Sequence, residues 1–519
     1  MNVTRDTVFD VAIVGLGPVG CFGAILLAEA GLQVVCIEKE PEVYRLPRAV
    51  NLDGEIIRAL QPVNLAETVS AMMQPIRPGE RAGFANSKRE WLFGIDSPAT
   101  SSNGWQPANM FDQPELERFL RDTACEHSNV TTYIGFEVTE FQSHAGQVTL
   151  RAQGNDQDIS IASQYLIACD GANSSTRKAL NIQWRDLGYD QDWLVVDVAM
   201  TATHDLANEV LQVCDPDRIH TYVATKDPYR RWEFQLNPGE TSEEMLREET
   251  IVGLLDDWVP RESYTIRRAA VYQFHAAVAA SWRSDRVFLA GDAAHQTPPF
   301  LGQGMNTGMR DLINLAWKLP LVLHGTCSET LLDTYQLERD AHAHDLVSWA
   351  VSMGHLMTHM AATEAAERAG KPAPAPSASM QTSGYGQGRE QPPIRSGVVM
   401  TEQLSNDGIT GYLLSQPTVT TATATGTNVR LDTLLGTGFA LVTRGAIATD
   451  TACQQIIDQL DIKLVNLIDL ETVEGRFVDV LLAGETVLVR PDKLVFGHTS
   501  DSVSIAQLLA NLKEAMDCS

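Results

Sequence analysis

The sequence has few cysteines, and none of them have the spacing that a metal site or a redox pair requires. The eight cysteines stand at positions 21, 36, 125, 169, 214, 327, 453 and 518. Zinc sites, iron–sulfur clusters and redox dithiols need closely spaced cysteines. We therefore expect reduced, structural thiols in a reducing compartment and no bound metal.

The chain also lacks an excess of basic residues. It has 39 Lys and Arg against 66 Asp and Glu, which gives a formal net charge of −27 at pH 7. Nucleic acids and anionic membranes are bound by clustered Lys and Arg. We therefore expect no nucleic-acid partner and no membrane partner, and an anionic substrate would need a local basic pocket.

Long apolar runs are missing as well. No uninterrupted apolar segment is long enough to span a bilayer, and the N-terminus shows no basic segment followed by an apolar stretch and a cleavage site. These absences predict a cytoplasmic protein. The composition, with 44% hydrophobic and 20% charged residues in 519, is that of a globular chain with two or three domains.

The first motif is a glycine-rich turn between a predicted strand, residues 8–13, and a predicted helix, residues 21–30. The turn reads Gly15-Leu16-Gly17-Pro18-Val19-Gly20. The first glycine permits a tight turn, the second lets the backbone approach a pyrophosphate, and the third lets helix and strand pack closely. The helix N-terminus offers free N–H groups to phosphates. This arrangement predicts the first βαβ unit of a doubly wound α/β domain.

Glu38 ends the next predicted strand, residues 33–37. Its carboxylate is placed to accept hydrogen bonds from both ribose hydroxyls, and it would repel a 2′-phosphate. The site therefore suits FAD or NAD rather than NADP. With strand, helix and acid in place, dinucleotide binding is favoured over a glycine-rich turn beside a solvated glutamate.

The second motif, Asp170-Gly171, follows a predicted strand at residues 165–168. Alone it would be an ordinary turn. The third motif places Gly291 and Asp292 after a predicted strand at residues 286–290. Asp292 is placed to accept a hydrogen bond from a ribityl or ribose hydroxyl. Together with this third motif, the second motif is interpreted as part of the same cofactor site.

The third motif continues through a run of prolines and glycines into a predicted helix. In that run Pro298 precedes Gly302, Gly304, Met305 and Asn306. The glycines let backbone N–H groups reach the polar edge of a flavin ring, and the helix points its positive end at the ring. A strand, turn and helix with a capping Asp would explain Asp292 but not this run.

Alternating segments between the motifs predict a second kind of sheet. Trp232, Phe234 and Leu236 would share one face of a strand, with the intervening residues on the other. We predict a mostly antiparallel substrate sheet at residues 191–275, inserted into a nucleotide-binding domain at residues 1–190 and 276–368. Residues 369–398, rich in Pro, Ala, Ser and Gly, are predicted to be a linker to a small α/β domain at residues 399–519.

In this order and at these separations, the three motifs resemble the fingerprints of the single-component FAD-dependent aromatic hydroxylases of the phenol hydroxylase type. The segments that resemble the 3-(3-hydroxyphenyl)propionate hydroxylase branch are Pro47-Arg48-Ala49-Val50, Gln113-Pro114, Cys214-Asp215-Pro216, Arg230-Arg231-Trp232-Glu233-Phe234 and Phe274-His275-Ala276. The resemblance covers about residues 8–350.

Beyond the predicted linker, Val489-Arg490-Pro491-Asp492 and Phe496-Gly497 resemble the thioredoxin-like C-terminal domain of the same family. A dithiol function would need a cysteine pair within that domain, and the sequence has none there. A role in packing or in forming a homodimer is therefore favoured.

The resemblance implies FAD as the cofactor and NADH or NADPH as co-substrate. It implies that Pro298 lies over the reactive face of the flavin and that Val138 lies beside the adenosine. The other residues implied to bind FAD are Gly15, Gly17, Gly20, Glu38, Arg48, Gln113, Asp170, Asp292, Gly302, Gly304, Met305 and Asn306.

The implied reaction joins dioxygen to the reduced flavin as a C4a-hydroperoxide and transfers one oxygen to a small phenolic substrate, ortho to its hydroxyl. Tyr272 and His275 are our preferred catalytic candidates beside Pro298, because they lead directly into the flavin segment. His355 and His359, one helical turn apart, are interpreted as ordinary packed residues rather than metal ligands.

Two other functions remain open from the sequence. The same motifs occur in hydroxylases and epoxidases of larger polycyclic natural products, which a larger substrate pocket would distinguish. A flavin-binding redox sensor acting through its C-terminal domain is less favoured. Turnover of NADH or NADPH with a phenol separates the sensor from the enzymes.

Overall fold

The computed structural model describes residues 8–97, 101–144, 146–375, 391–404, 408–420, 427–447 and 449–518. Its first sheet is parallel around the N-terminal strand, which is apolar along most of its length because parallel strands are covered on both faces. The strands in spatial order are Arg283–Ser284, Val287–Leu289, Gln157–Ala168, Val8–Val14, Val34–Glu38 and Val130–Ile134. Gln147–Gly154 and Glu137–His144 extend this sheet as an antiparallel hairpin.

The helix after the first strand is Pro18–Glu29, so it begins three residues earlier than the sequence predicted. Proline is favoured at the first helical position because its missing N–H would have no partner there. The helix is buried on almost every side, which confirms the predicted strand–helix–strand unit.

The second sheet is antiparallel except where Val210–Val213 pairs with Arg81–Ala85. The strands in spatial order are His295–Gln296, Tyr264–Ala279, Trp184–Met200, Tyr229–Gln235, His220–Val223, Val210–Val213, Arg81–Ala85 and Trp91–Asp96. Trp232 and Phe234 are buried in the hydrophobic core on one side of this sheet, as the alternation predicted. The hairpin at residues 81–96 was not predicted and belongs to this sheet by structure.

Helices cover both sheets, and two of them are long. Gly304–Leu323 packs against the helix Pro18–Glu29, and Asp333–Arg368 lies against the second sheet. The other helices and 3-10 turns up to residue 332 are Gly54–Ala59, Ala66–Ala71, Gln113–Glu126, Ser175–Ala179, Ser242–Met245, Glu248–Leu255, Arg261–Ser263, Gly291–Ala293, Pro299–Leu301 and Glu329–Leu332. A small sheet of Asn51–Asp53, Ala108–Met110 and Gln74–Pro75 lies beside them. Within the described residues, no helix is both long and apolar enough to cross a membrane.

The C-terminal part has its own sheets and its own hydrophobic core, and a second core is shared with Trp317, Cys327 and Leu331. One sheet has the order Lys463–Asn466, Ala440–Thr443, Val487–Val489 and Val495–His498, and a smaller one has Asn428–Arg430, Thr418–Thr420 and Glu471–Glu474. The helices are Leu431–Leu435, Thr451–Gln459, Asp479–Leu482 and Ile505–Met516.

The predicted linker is only partly described. Residues 376–390 lie outside the described residues. Ile394 and Val398, near its predicted end, are buried, and the Val398 N–H donates to Glu338. The described end of this segment therefore packs against the rest of the molecule.

Buried ion pairs join the C-terminal part to the rest of the chain. Glu338 pairs with Arg490 at 2.8 Å and with Lys318 at 3.0 Å, and all three side chains are almost fully buried. Arg58 pairs with Asp432 at 2.7 Å. Because separating such pairs leaves buried charges without partners, they hold the two parts in one arrangement.

One expectation about the cysteines is wrong. The structure joins Cys327 to Cys518 by a disulfide across 191 residues of sequence. The sequence reasoning looked for closely spaced cysteines, and the fold brings distant ones together. The remaining six cysteines are free.

Candidate active site

The glycine-rich turn has the geometry that its three glycines predict. Gly15 has a φ of +98°, and a Cβ there would overlap the carbonyl oxygen of Cys169. A Cβ on Gly20 would overlap the carbonyl of Gly15, whereas one on Gly17 would meet no atom within 4 Å. Gly15 and Gly20 therefore allow close packing, and Gly17 leaves an open surface at the N-terminus of the helix.

Glu38 lies beside this turn and is almost fully buried. Its carboxylate accepts the N–H of Leu16 at 2.6 Å and the N–H of Glu40 at 2.7 Å. Each carboxylate oxygen can accept another hydrogen bond. Glu38 thus fixes the turn and still has acceptor capacity for a ribose.

Asp170 lies at the end of the strand that neighbours the first strand. One of its carboxylate oxygens accepts the N–H of Thr176 at 3.0 Å. The other is buried and has no hydrogen-bond partner among the described residues. A buried carboxylate oxygen without a partner in the protein indicates a ligand or an ordered water.

Asp292 follows the buried Gly291 in the 3-10 turn Gly291–Ala293. Its side chain is accessible to solvent. Desolvation by the surrounding protein nevertheless raises the pKa of its carboxyl, although His295 and Arg48 act to lower it. Asp292 is therefore open to a ligand, while the protein around it disfavours the charged form of its carboxyl.

The turn that carries Asp292 is held by residues that the sequence analysis missed. The Asp311 carboxylate accepts the N–H of Gly291 at 2.9 Å and also contacts the His295 ring at 2.9 Å. Arg339 donates to the other oxygen of Asp311 at 2.9 Å. In the sequence, Asp311 falls at the spacing of the apolar face of its helix. A charged residue at such a position was the only signal that could have identified it.

The segment at residues 47–49 is held by hydrogen bonds with Gln113, Arg231 and Arg268. Gln113 accepts the N–H groups of Arg48 and Ala49 at 2.9 and 2.8 Å, so its amide positions this segment. The guanidinium groups of Arg231 and Arg268 donate to the carbonyl of Pro47, and Arg231 also donates to that of Arg48. The Arg48 side chain itself is exposed.

The segment predicted to border the flavin ring turns at Gly302, which has a φ of +63°. The Asn306 side chain is buried and donates to the carbonyls of Gly302 and Asn51, so it holds the turn. A Cβ on Gly304, at the start of the long helix, would meet no atom within 4 Å. Met305 packs against the main core.

Val138 lies farther away, on the hairpin of the first sheet. It is half-buried against the hydrophobic cluster beneath that hairpin. The preceding N–H groups of Gly135 and Phe136 donate to the carbonyl of Glu38. The chain just before Val138 is therefore next to the backbone of Glu38, the predicted ribose-binding residue.

An aromatic cluster lies next to Pro298, between the second sheet and the long helices. The Phe300 ring lies 5.3 Å from Trp193, 5.7 Å from Tyr189 and 6.3 Å from Phe274, measured between ring centroids. Pro298, two residues before Phe300, is buried. Apolar walls of this kind suit an aromatic ring.

The two preferred catalytic side chains are separated by strand alternation. Tyr272 pairs with Trp193 across the sheet and shares the face that bears the aromatic cluster. His275 points to the opposite face, is half-exposed and pairs with Asp190. The two candidates therefore lie on opposite sides of the sheet, because residues three apart on a strand point to opposite sides.

Taken together, the residues present fit FAD. Cβ atoms placed on Gly17 and Gly304 would meet no described atom within 4 Å, so both helix N-termini are open. The carboxylates of Glu38 and Asp170 have acceptor capacity for hydroxyl groups. Helix N-termini suit a pyrophosphate and the electron-rich edge of a reduced flavin.

Comparisons with known proteins agree with this geometry. Residues 8–350 match the family described as the FAD binding domain. A 3-(3-hydroxy-phenyl)propionate/3-hydroxycinnamic acid hydroxylase of Escherichia coli O139:H28 is 31% identical over 94% of this chain and 91% of its own length. A hydroxylase of the same name from Burkholderia vietnamiensis is 32% identical over 96% of this chain and 95% of its own length.

Solved structures extend the similarity to the fold. A crystal structure of aklavinone-11 hydroxylase with FAD and aklavinone superposes with a TM-score of 0.80, at 24% identity, over 100% of both chains. That of p-nitrophenol 4-monooxygenase from Pseudomonas putida gives a TM-score of 0.63, at 24% identity, over 70% of this chain and 92% of that one. The chain belongs to the family of FAD-dependent aromatic hydroxylases and is a flavoprotein monooxygenase.

Proposed function

We propose that this enzyme hydroxylates a small phenolic ring, ortho to the hydroxyl already present, with NADH or NADPH as reductant and dioxygen as the oxygen source. The observation that carries the proposal is the aromatic cluster of Trp193, Phe274 and Phe300 beside Pro298. Bound FAD supplies the reduction and the activation of oxygen. The protein has to hold the ring, exclude water and accept the proton of the phenol.

We further propose which residues hold the FAD. Gly15, Gly17 and Gly20 would receive the pyrophosphate, with Glu38 on the ribose, Val138 beside the adenosine, and Asp170 and Asp292 on hydroxyl groups. Gly302, Gly304, Met305 and Asn306 would border the flavin ring, and Pro298 would lie over its reactive face. Arg48 and Gln113 would complete the site, with Gln113 acting by holding the segment of Arg48.

The size of the substrate is the main alternative. The centroids of the clustered rings lie 5.3–6.3 Å apart, which is direct contact, and this supports a single ring as the substrate. A polycyclic substrate remains the second candidate because aklavinone-11 hydroxylase has the same fold over its whole length. It would require the rings around Phe300 to move apart.

For the C-terminal residues 399–519 we propose a thioredoxin-like domain that acts through packing. Its Arg490 and Asp432 form the buried ion pairs with Glu338 and Arg58. These pairs support a fixed position against the FAD-binding part rather than a detachable module.

The test is a panel of phenols and polycyclic phenols, with nicotinamide oxidation and product analysis measured together. We expect slow nicotinamide oxidation when no phenol is present, strong stimulation of that oxidation by small phenols, and a catechol product. Conversion of the polycyclic compounds with no conversion of single rings would select the second candidate. Oxidation that no phenol stimulates would contradict both.

A further inference from the structure

Glu233 is a buried carboxyl group that the fold leaves without a hydrogen bond. It lies on strand Tyr229–Gln235 and is 5% exposed. Within the described residues, its nearest charged partner is the Arg231 guanidinium at 3.8 Å, which is too far for a hydrogen bond. A carboxyl in a buried residue that finds no hydrogen bond in the protein is costly unless water or a ligand reaches it, so its presence needs a reason.

Strand pairing places Glu233 on the face of the second sheet that looks toward the aromatic cluster. It lies opposite Val195 on one neighbouring strand and Thr221 on the other. Thr221 donates to Gln212 at 2.6 Å, and Gln212 donates at 3.4 Å to the carbonyl of Phe300. The neighbours of Glu233 on this face therefore reach the turn that follows Pro298.

On the other side of Glu233, the same face holds the segment at residues 47–49. Asp197 lies opposite Arg231 and Arg268, and both arginines donate to the carbonyl of Pro47. Glu233 and Arg231 are two residues apart on the same strand, so their side chains point to the same face of the sheet. Glu233 thus lies between the two segments that form the walls of the proposed flavin recess.

The charge of Glu233 balances the second of two buried guanidinium groups, but the hydrogen bonds of those groups do not account for its position. Arg231 donates to Asp197 at 2.7 Å and to the carbonyls of Pro47 and Arg48, so its hydrogen bonds are used elsewhere. Arg268 also pairs with Asp197. Neither arginine depends on Glu233 for a hydrogen-bond partner.

The surrounding charges adjust the acidity of this group. Burial raises the pKa of the Glu233 carboxyl and Asp197 adds to the effect, while Arg231 and Arg268 oppose it. The strand on the other side contributes the uncharged Thr221, and the titratable Tyr272 lies near Arg231. A raised carboxyl pKa narrows the gap to a phenol, whose pKa is about 10, and so makes proton transfer less unfavourable.

Resting on the proposed phenol hydroxylation, we propose that Glu233 is the catalytic residue that accepts the hydrogen bond, and then the proton, of the phenolic hydroxyl of the substrate. The O–H bond of the phenol breaks and an O–H bond forms on the Glu233 carboxylate. The electron pair stays on the phenolic oxygen, where Arg231 and Arg268 stabilise the phenolate. The phenolate donates electron density to the ortho carbon that is to be hydroxylated.

The experiment compares the FAD-loaded wild type with Glu233→Gln and a matched control, Glu240→Gln. Glu240 lies just beyond the same strand and pairs with Arg218. The probes are 3-hydroxyphenylpropionate and its fluorinated derivatives, in which the phenol is more acidic. FAD content and thermal unfolding are measured for each variant, together with kcat, KM and their pH dependence.

With the wild type, kcat/KM falls at low pH as Glu233 is protonated. With Glu233→Gln this low-pH fall disappears, kcat drops about 100-fold, and KM changes little because an amide oxygen still accepts the hydroxyl. The more acidic fluorinated phenols recover at least part of the lost rate in Glu233→Gln, which a misfolded site would not allow. Glu240→Gln behaves as the wild type.

Two results would overturn the proposal. One is a Glu233→Gln enzyme with an unchanged rate and pH profile, and the other is a loss of rate that is equal for all phenols, as charge balance would give. If Glu233→Gln does not retain FAD, Glu233→Asp replaces it and must keep the low-pH fall at a lower rate. A wild type that hydroxylates no phenol would instead contradict the proposed function.

Discussion

Arg339 donates a hydrogen bond of 2.9 Å to Asp311, and both side chains are buried. The same carboxylate accepts the N–H of Gly291, the residue before Asp292. A buried ion pair between two long helices thus sets the position of the turn that is proposed to bind FAD. Neither residue has to contact the cofactor to matter for its binding.

We predict that Asp311→Asn lowers the free energy of unfolding by about 3–5 kcal/mol, because Arg339 is left as a buried charge without its partner. FAD retention should fall as well, since Gly291 loses its anchor. Chemical denaturation and FAD titration measure the two effects. Asp345→Asn, which breaks a partly exposed pair with Arg395, is the control and should change stability by less than about 1 kcal/mol. Equal effects of the two substitutions would show that the buried pair contributes no more to stability than a partly exposed one.

The separation of Tyr272 from His275 gives a paired prediction. Tyr272 lies on the face that bears Trp193, with the Arg268 guanidinium 4.8 Å from its ring centroid. Tyr272→Phe should change kcat or KM for the phenol, whereas His275→Ala should leave both within about twofold, as for other surface substitutions. Steady-state kinetics on both variants decide the matter. A larger loss of activity with His275→Ala than with Tyr272→Phe would indicate that the exposed histidine takes part in the reaction.

The disulfide predicts the number of thiols that react before and after reduction. With Cys327 joined to Cys518, the unfolded, unreduced protein should show six reactive thiols, and the reduced protein should show all eight. Closing so long a loop should stabilise the fold by up to about 5 kcal/mol, so Cys518→Ser or a reductant should lower the melting temperature. Eight thiols before reduction would mean that the pair is open in solution.

Stability should also depend on pH through Glu338. Burial acts to raise the pKa of this carboxyl, but Arg490 and Lys318 outweigh it and hold the pKa well below its ordinary value. A carboxyl with a depressed folded pKa stabilises the fold above its unfolded pKa of about 4.3, and this contribution is lost as the pH falls toward the folded value. Denaturation between about pH 5 and 2 should show the loss, and Glu338→Gln should remove it. The exposed Glu367→Gln should keep the pH dependence of the wild type.

The glycine positions and the first strand–helix–strand unit were predictable because they depend on local contacts. The turn at Gly15 requires a positive φ, and the apolar run at residues 8–14 requires a buried strand. Both requirements are visible in a few consecutive residues. The burial of Trp232 and Phe234 on one face of their strand could be predicted for the same reason.

The parts that were missed depend on contacts between distant residues. The hairpin at residues 81–96 joins the second sheet through Val210–Val213, more than a hundred residues away. Asp311 and Arg339 meet only when two helices pack, and Cys327 meets Cys518 only after the C-terminal part docks. His275 was chosen for its place before the flavin segment, and the direction of its side chain was decided by the register with Asp190.

The central claim is that this flavoprotein inserts one atom of dioxygen into a phenol beside its hydroxyl. The most direct measurement is a reaction under isotopically labelled dioxygen with a nicotinamide and a small phenol such as 3-hydroxyphenylpropionate, followed by mass analysis of the product. The account predicts an ortho-dihydroxylated product that carries one labelled oxygen, together with nicotinamide oxidation that the phenol strongly accelerates. A product without label, or oxidation equally fast when no phenol is present, would contradict it.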